Sequence, residues 1–389
     1  LVIINNLVLL STNDFSLAIP EDVTQEELVS NLQLRIDNSK RNGFESYHEF
    51  NDKEILWWYL YRRTNIKKEN EKSERTVKSY RRILEQFITN LLMYHNEIGL
   101  DLKIPENATN ISLLKLLEER HLRRYQKWFI NKSPYVLKNG PYSAATIENK
   151  MTVIKSFLQQ LYRWGYIPLP VYEGFYVFAA RKDERPNRDA GPNDVLKLLK
   201  SFEAIGHIPM FTLIHVLTTT GMRNEELCKL TVGDVKKDTI LGGYYLDVWG
   251  KGNKNRQIPL REKTLTSIEK FRAARGLLPL KEATKSEPLF TTNRGKAYTP
   301  SYLSQYFKSQ LAYLPEEVLE EFNHVSITPH LFRHAFAIIS SIEGSDLYAI
   351  MRSLGHERIE TTQIYLEKIF AKERHAIHQW SSDTLDGYI

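Results

Sequence analysis

The 389-residue chain has one cysteine, Cys228. One thiol cannot close an intramolecular disulfide or build a cysteine zinc site, so a reducing compartment is expected. No apolar run reaches the ~20 residues needed to span a bilayer. The opening Leu1-Val2-Ile3-Ile4 is short, is interrupted by Asn5 and Asn6, and lacks the basic start of a secretory signal. A cytoplasmic protein with no membrane partner is therefore expected. The sequence also lacks internal repeats, low-complexity segments and a G-x-x-x-x-G-K-[ST] phosphate loop, which removes repeat architectures and P-loop nucleotide chemistry from consideration.

What is present suits a globular protein. Hydrophobic residues make up 42% and charged residues 26%, enough for filled cores and against wholesale disorder. The length suits two or three domains. Lys and Arg number 53 against 47 Asp and Glu, a net +6 with a pI near 9.0. This mild basic excess permits nucleic-acid binding without establishing it.

Residues 1–50 form an N-terminal extension of unknown role. Strands fit 2–4 and 7–10, and a helix capped by Thr24, with Glu27 three residues later, fits 24–36. Residues 51–180 read as a helical domain. The aromatic run from Ile55 to Tyr61 fits a buried helix. Val77, Tyr80, Leu84, Phe87, Ile88 and Leu91 share one face of a helix over 73–98, and a third helix is expected over 112–130. Ser143 caps a fourth, with Ile147, Met151, Ile154, Leu158 and Leu161 on one face and Gly165 at its end. Their polar faces carry Lys78, Arg81 and Arg82; Arg120, Arg123, Arg124 and Lys127; and Lys150, Lys155 and Arg163. Such charge is usually a solvated face. Residues 181–192 are rich in charge, Pro and Gly and read as a linker. Residues 193–389 read as a second domain, with helices over 193–203, 208–219, 224–230, 262–275, 299–312, 330–342, 345–353 and 360–379. A hairpin joins 244–249 to 256–260. The fold class expected is mainly α, with a small antiparallel sheet in the second domain.

Four segments of that domain carry candidate chemistry. In Thr220-Gly221-Met222-Arg223-Asn224-Glu225-Glu226, a Gly breaks one helix and an Arg enters the next, where its guanidinium can fork over a phosphate. Lys251 sits in the glycine-flanked hairpin tip Gly250-Lys251-Gly252-Asn253-Lys254. In Thr328-Pro329-His330-Leu331-Phe332-Arg333-His334, Pro marks a helix start and places His330 and Arg333 on one face at an anion-favouring terminus. In Leu354-Gly355-His356, Gly355 ends a helix; Thr361 or Thr362 can cap the next, which carries Tyr365. Each segment alone has a bland alternative: a surface Arg, a wet turn Lys, a capping His with an ion-paired Arg, and one of 21 tyrosines.

Taken in order, T-G-M-R-x-x-E, G-K-G-N-K, H-x-x-R-H, L-G-H and a Tyr nine residues after that His resemble the tyrosine recombinase, or phage integrase, family. The likeness is strong over about 193–370 and looser back to about 73. It implies that Arg223 and Arg333 clamp a scissile DNA phosphate and that Lys251 and His330 transfer protons. It further implies that His356 hydrogen-bonds the phosphate, Glu226 orients the site and Tyr365 attacks. Phe332 stands where Leu is commoner. Glu225 stands where a small residue is commoner and adds a negative charge beside the first arginine.

Elementary chemistry agrees with these roles. A phosphodiester anion repels a nucleophile unless its nonbridging oxygens are neutralised. Tyrosine, with an ordinary pKa of about 10, attacks only with a base or a strongly positive site nearby. The leaving 5′ oxygen needs a proton. No metal and no cofactor is implied. The resemblance further implies a helical core-binding domain and a catalytic domain closing on double-stranded DNA with inverted-repeat core sites, a tetramer on DNA, and a C-terminal exchange segment, for which Ile369, Phe370, Ile377 and Trp380 form a candidate stripe. Accessory DNA-bending proteins would be further partners. The rival readings are a DNA-binding regulator of the same fold that does not cut, and a type IB topoisomerase.

Overall fold

The computed structural model describes residues 15–66, 71–103, 112–176, 189–250, 254–322, 325–373 and 375–381, without the side chains of 368, 369, 372 and 373. The strands expected at 2–4 and 7–10, residues 181–188 of the expected linker, Lys251 and the Ile369 side chain lie outside this set. Chain contacts divide the molecule into two units, Leu1–Arg185 and Pro186–Ile389.

The first unit is built on helices that start where caps stand. Helix α1 (Gln25–Arg41) opens with a reciprocal Thr24–Glu27 capping box and buries Leu28, Leu32 and Ile36 at four-residue intervals. Helix α2 (Asp52–Tyr61) opens with the equivalent Asn51–Glu54 pair and buries Ile55, Leu56, Trp58, Tyr59 and Leu60. Ser73 caps α3 (Glu74–Met93); α4 (Glu119–Lys132) follows, and Ser143 caps α5 (Ala144–Arg163). Leu17, Leu28, Leu32 and Ile36 belong to the same core as Phe87, Phe129 and Phe157, so residues 15–50 pack into this unit. Burial of each such large side chain contributes about 1.5–3 kcal/mol.

The helix expected from residue 112 begins later, at Glu119. The Ser112 hydroxyl donates to the buried Asp52 carboxylate, which also accepts from Leu114 N and the Tyr166 hydroxyl. This draws 112–116 onto α2, with Leu114–Leu116 as a 3-10 turn, and Leu117 and Glu118 are extended before α4 begins.

In the second unit, α6 (Pro192–Ala204), α9 (Glu262–Ala274) and α12 (Pro329–Ile342) pack around α7 (Ile208–Thr220). Helix α7 buries Met210, Leu213, Ile214, Val216 and Leu217, too many for one stripe and fitting for a central helix. Between α7 and α9 lie α8 (Asn224–Lys229) and the strands β1 (Val235–Lys237), β2 (Tyr244–Trp249) and β3 (Asn255–Leu260). Among the described residues these strands form one antiparallel sheet, with Val235 opposite Leu246 and Trp249 opposite Asn255. Leu246, Val248, Ile258 and Leu260 face the core.

Beyond the sheet stand α10 (Pro300–Leu311), α11 (Glu316–Glu320), α13 (Leu347–Leu354) and α14 (Ile359–Glu373). Helices α12, α13 and α14 share a small core of Ala337, Ile338, Ile350, Leu354 and Leu366, with Tyr365 and Phe370 partly buried against it. Helix α14 ends six residues before the expected 379; Ala376–Gln379 is a separate 3-10 turn in which the Ile377 amide donates to the His375 ring.

Candidate active site

The site assembles where α7, α12 and α13 end or begin. Helix α7 terminates at Gly221, whose φ of +61° is left-handed, and a Cβ there would stand 2.7 Å from the Phe336 ring. Only glycine meets both demands. The turn buries Met222 and delivers Arg223 as the extended N-cap residue just before α8.

Glu226 is 4% exposed and gathers four hydrogen bonds: from Arg223 N (2.7 Å), Arg223 Nη1 (2.8 Å), Arg256 Nη1 (3.0 Å) and Arg256 Nη2 (2.7 Å). Burial pushes its carboxyl up, but the hydrogen bonds and charges of Arg256 and Arg223 overcome this and hold it at about 2. Arg256 lies on β3 and also donates to Ser353 O at the end of α13. Two glycines make room for it: a Cβ on Gly355 would stand 3.3 Å from Arg256 Nη1, and one on Gly250 would stand 3.1 Å from Glu226 Oε1.

Arg333 is 1% exposed. It donates to Gly221 O (2.7 Å), Leu354 O (2.7 Å) and His356 Nε2 (2.8 Å). The two carbonyls close the C-terminal ends of α7 and α13, where backbone dipoles favour a cation. Burial and the nearby Arg223 charge lower its pKa to about 10, which leaves it charged at neutral pH. Arg223 Nη2 reaches Gly355 O at 3.3 Å, so the two guanidiniums flank the α13 terminus.

His356 follows Gly355, and its Nδ1 lies 2.8 Å from the hydroxyl of Thr362, a fully buried residue of α14. Burial and the charges of Arg333, Arg223 and Arg256 push its pKa down to about 4. One turn after Thr362, the Tyr365 ring stands 5.4 Å from that of His356, 6.4 Å from that of His330 and 3.8 Å from that of His334.

Arg223, His330, Arg333, His356 and Tyr365 are thus brought together, while Lys251 lies outside the described residues. Beside them opens a cavity of about 750 Å³ whose lining carries Arg223, Lys254, Arg256, Arg352 and Arg358 with one carboxylate, Glu357, paired to Lys254; cations predominate and suit phosphate groups. Glu225 points to Lys229 at 2.8 Å and is half exposed, so its added charge is met on the surface of α8. Among the described residues, no three His, Cys, Asp or Glu side chains gather as a cation site requires. In the first unit, Arg120 and Arg124 of the basic faces pair with Asp101.

Three contributors have little signal in the sequence. Arg256 sits on a strand edge without a motif of its own. His334 shares the H-x-x-R-H segment, but its place against Tyr365 depends on how α14 packs. Thr361 and Thr362 do not cap α14 as expected, because the helix begins at Ile359 and holds both within its first turn; the Thr362 hydroxyl serves the His356 ring instead.

Residues 191–372 match the phage integrase family. The tyrosine recombinase XerD of Staphylococcus saprophyticus is 30% identical over 238 residues, which cover 59% of this chain and 74% of that one. The tyrosine recombinase XerC of Thermodesulfovibrio yellowstonii is 28% identical over 231 residues, 57% of this chain and 71% of the relative. Lambda integrase as a dimer on a COC′ core site has the same fold, with a TM-score of 0.56 at 14% identity over 87% of this chain and 85% of that one. Its tetramer on a Holliday junction aligns with a TM-score of 0.53 at 14% identity, over 76% of this chain and 72% of that one. The matched family and relatives are enzymes of site-specific DNA recombination. The chain belongs to the tyrosine recombinase, or phage integrase, family.

Proposed function

We propose that this chain cuts and rejoins double-stranded DNA at inverted-repeat core sites through a 3′-phosphotyrosyl intermediate, with Tyr365 as nucleophile. The observation that carries this reading is the juxtaposition of Tyr365 with His356, 5.4 Å between rings, and of His356 with Arg333 at 2.8 Å. The Tyr365 oxygen forms a bond to phosphorus as the bond to the 5′ oxygen breaks. Arg223 and Arg333 neutralise the nonbridging oxygens, where charge grows in the transition state. His330 and Lys251 handle the protons, Lys251 by its place in the hairpin motif, and the departing 5′ oxygen leaves as a hydroxyl. His356 hydrogen-bonds the phosphate. One phosphoester replaces another, so a 5′ hydroxyl of a second strand reverses the step without ATP.

The biological outcome favoured here is integration or excision of a mobile element, supported by the phage integrase family match. A tetramer on DNA, supported by the assembly seen for lambda integrase, and DNA-bending accessory proteins complete the reading. Inverted repeats in the DNA flanking the gene would supply the core site. A nicked suicide duplex carrying that site should trap a covalent adduct with the wild-type chain and none with Tyr365→Phe, at equal DNA affinity. Tight binding of the site by the wild type with no adduct would replace this reading with that of a non-cutting regulator.

A further inference from the structure

The His356 ring is held between two partners of different kind. On one side Arg333 Nη2 stands 2.8 Å from Nε2. A guanidinium has donors and no acceptor, so Nε2 must offer its lone pair there. The neutral ring then carries its proton on Nδ1, which donates to the Thr362 hydroxyl 2.8 Å away. In this arrangement His356 presents no N–H towards a phosphate, whereas a phosphate contact from His356 requires a donor. The ring needs a route from acceptor to donor at Nε2.

Charging the ring is a costly route. The groups that face it are Arg333 and His330 from α12, Arg223 at the α7–α8 turn, Arg256 from β3 and Tyr365 from α14. Three of these are guanidiniums, and together with burial they disfavour a second proton on the ring. Exchange of tautomer avoids that cost. Nδ1 gives its proton to water and Nε2 takes one from water, so the ring stays neutral. The Arg333 hydrogen that held Nε2 turns to a nonbridging oxygen, and the new Nε2–H donates to the same phosphate. Nδ1 then requires a donor. A hydroxyl is suited to both states because it accepts from Nδ1–H before the exchange and donates to bare Nδ1 after it. A carbonyl or carboxylate at that place would lock the first tautomer, and an apolar group would leave a buried nitrogen unsatisfied.

We propose that Thr362 is a positioning residue of this site: its buried hydroxyl holds His356 in the Nδ1–H tautomer before DNA engages and supports the Nε2–H tautomer once the scissile phosphate displaces Arg333 from the ring. The catalytic meaning of this switch rests on the strand-cleavage reading given above. Thr362 lies on α14 three residues before Tyr365, so the nucleophile's helix also carries the group that sets the state of the phosphate-binding histidine.

The test has two arms. The first uses the free full-length protein labelled with ¹⁵N-histidine, with the His356 signals identified by their loss in His356→Asn. The wild type and Thr362→Ser should show Nδ1 protonated and Nε2 bare, and Thr362→Val should lose that fixed pattern. A wild-type ring protonated at Nε2, or a pattern unchanged in Thr362→Val, overturns the proposal. The second arm measures single-turnover cleavage of the nicked core-site duplex. Thr362→Ser should stay within about twofold of wild type and Thr362→Val should fall by about tenfold or more, the scale of losing the partner behind a functional histidine, with DNA affinity unchanged. The Thr362→Val/His356→Asn double variant should cleave no more slowly than His356→Asn alone. Additive losses would mean that Thr362 merely packs α14, and would overturn the proposal. If the wild type never cleaves while the free-state tautomer is as expected, the strand-cleavage reading fails and the tautomer lock stands.

Discussion

Arg256 meets Glu226 with both ends of its guanidinium, at 3.0 and 2.7 Å, and thereby links strand β3 to the carboxylate that holds Arg223. Both partners are largely buried, with side-chain exposures of 14% and 4%. Removing one partner of such a pair leaves the other uncompensated, at a cost of about 3–5 kcal/mol. Arg256→Ala should therefore lower unfolding stability by about that amount, while Arg256→Lys, which cannot bridge both oxygens, should fall between it and wild type. Equilibrium urea unfolding checks this. A loss under about 1 kcal/mol for Arg256→Ala, the range of an exposed pair, would show that the link carries little.

Acid should weaken the second unit in two stages. The folded His356 pKa of about 4 lies below its ordinary 6.5, so the unfolded chain takes up that proton first. The stability tied to the neutral ring is present above pH 6.5 and is lost as pH falls towards 4. The Glu226 pKa of about 2 lies below its ordinary 4.5, so its contribution is present above pH 4.5 and is lost as pH falls towards 2. Urea midpoints measured across this range should decline in the wild type, and His356→Asn should shrink the decline between 6.5 and 4, leaving the part due to His215, whose pKa burial also lowers. Parallel curves for the two proteins would contradict the burial and charge environment assigned to His356.

Much of this site is legible in the sequence because backbone punctuation fixes it. Gly221 and Gly355 must end α7 and α13, since both adopt positive φ, and Pro329 must sit at the start of α12; these three residues place Arg223, His356, His330 and Arg333. The capping pairs Thr24–Glu27 and Asn51–Glu54 mark helix starts as plainly. What escapes is set by contacts distant in sequence. Leu113, Leu114 and Leu117 read as helix by composition, yet Asp52 and Tyr166 draw that segment into a turn through hydrogen bonds across more than fifty residues. Strand β1 spans three residues, too few for alternation to show, and exists through its pairing with β2. Arg256 and Thr362 are ordinary residues of a strand and a helix until folding places a carboxylate beside one and an imidazole beside the other.

The roles of Lys251 and His330 separate by the leaving group. An acid matters only if the departing oxygen needs its proton. Replacing the bridging 5′ oxygen with sulfur gives a thiolate, whose conjugate acid has an ordinary pKa of about 8.5 and which departs unaided. Lys251→Ala should be severely slowed on normal DNA and largely restored on the sulfur-substituted strand. Arg223→Ala and Arg333→Ala should stay slow on both, because their task lies at the nonbridging oxygens. Rescue of His330→Ala in place of Lys251→Ala would make His330 the acid and Lys251 a phosphate contact.

In the proposed reaction one tyrosine among 21 becomes bonded to DNA. Trapping the wild-type chain on the nicked core-site duplex in excess EDTA, digesting protein and DNA, and sequencing the nucleotide-bearing peptide by mass spectrometry tests it directly. A 3′-phosphate ester should appear on Tyr365 and on no other residue, formed without added metal because arginine and lysine supply the positive charge. An adduct on a different side chain, or cleavage that leaves free DNA ends and requires a divalent cation, would contradict it.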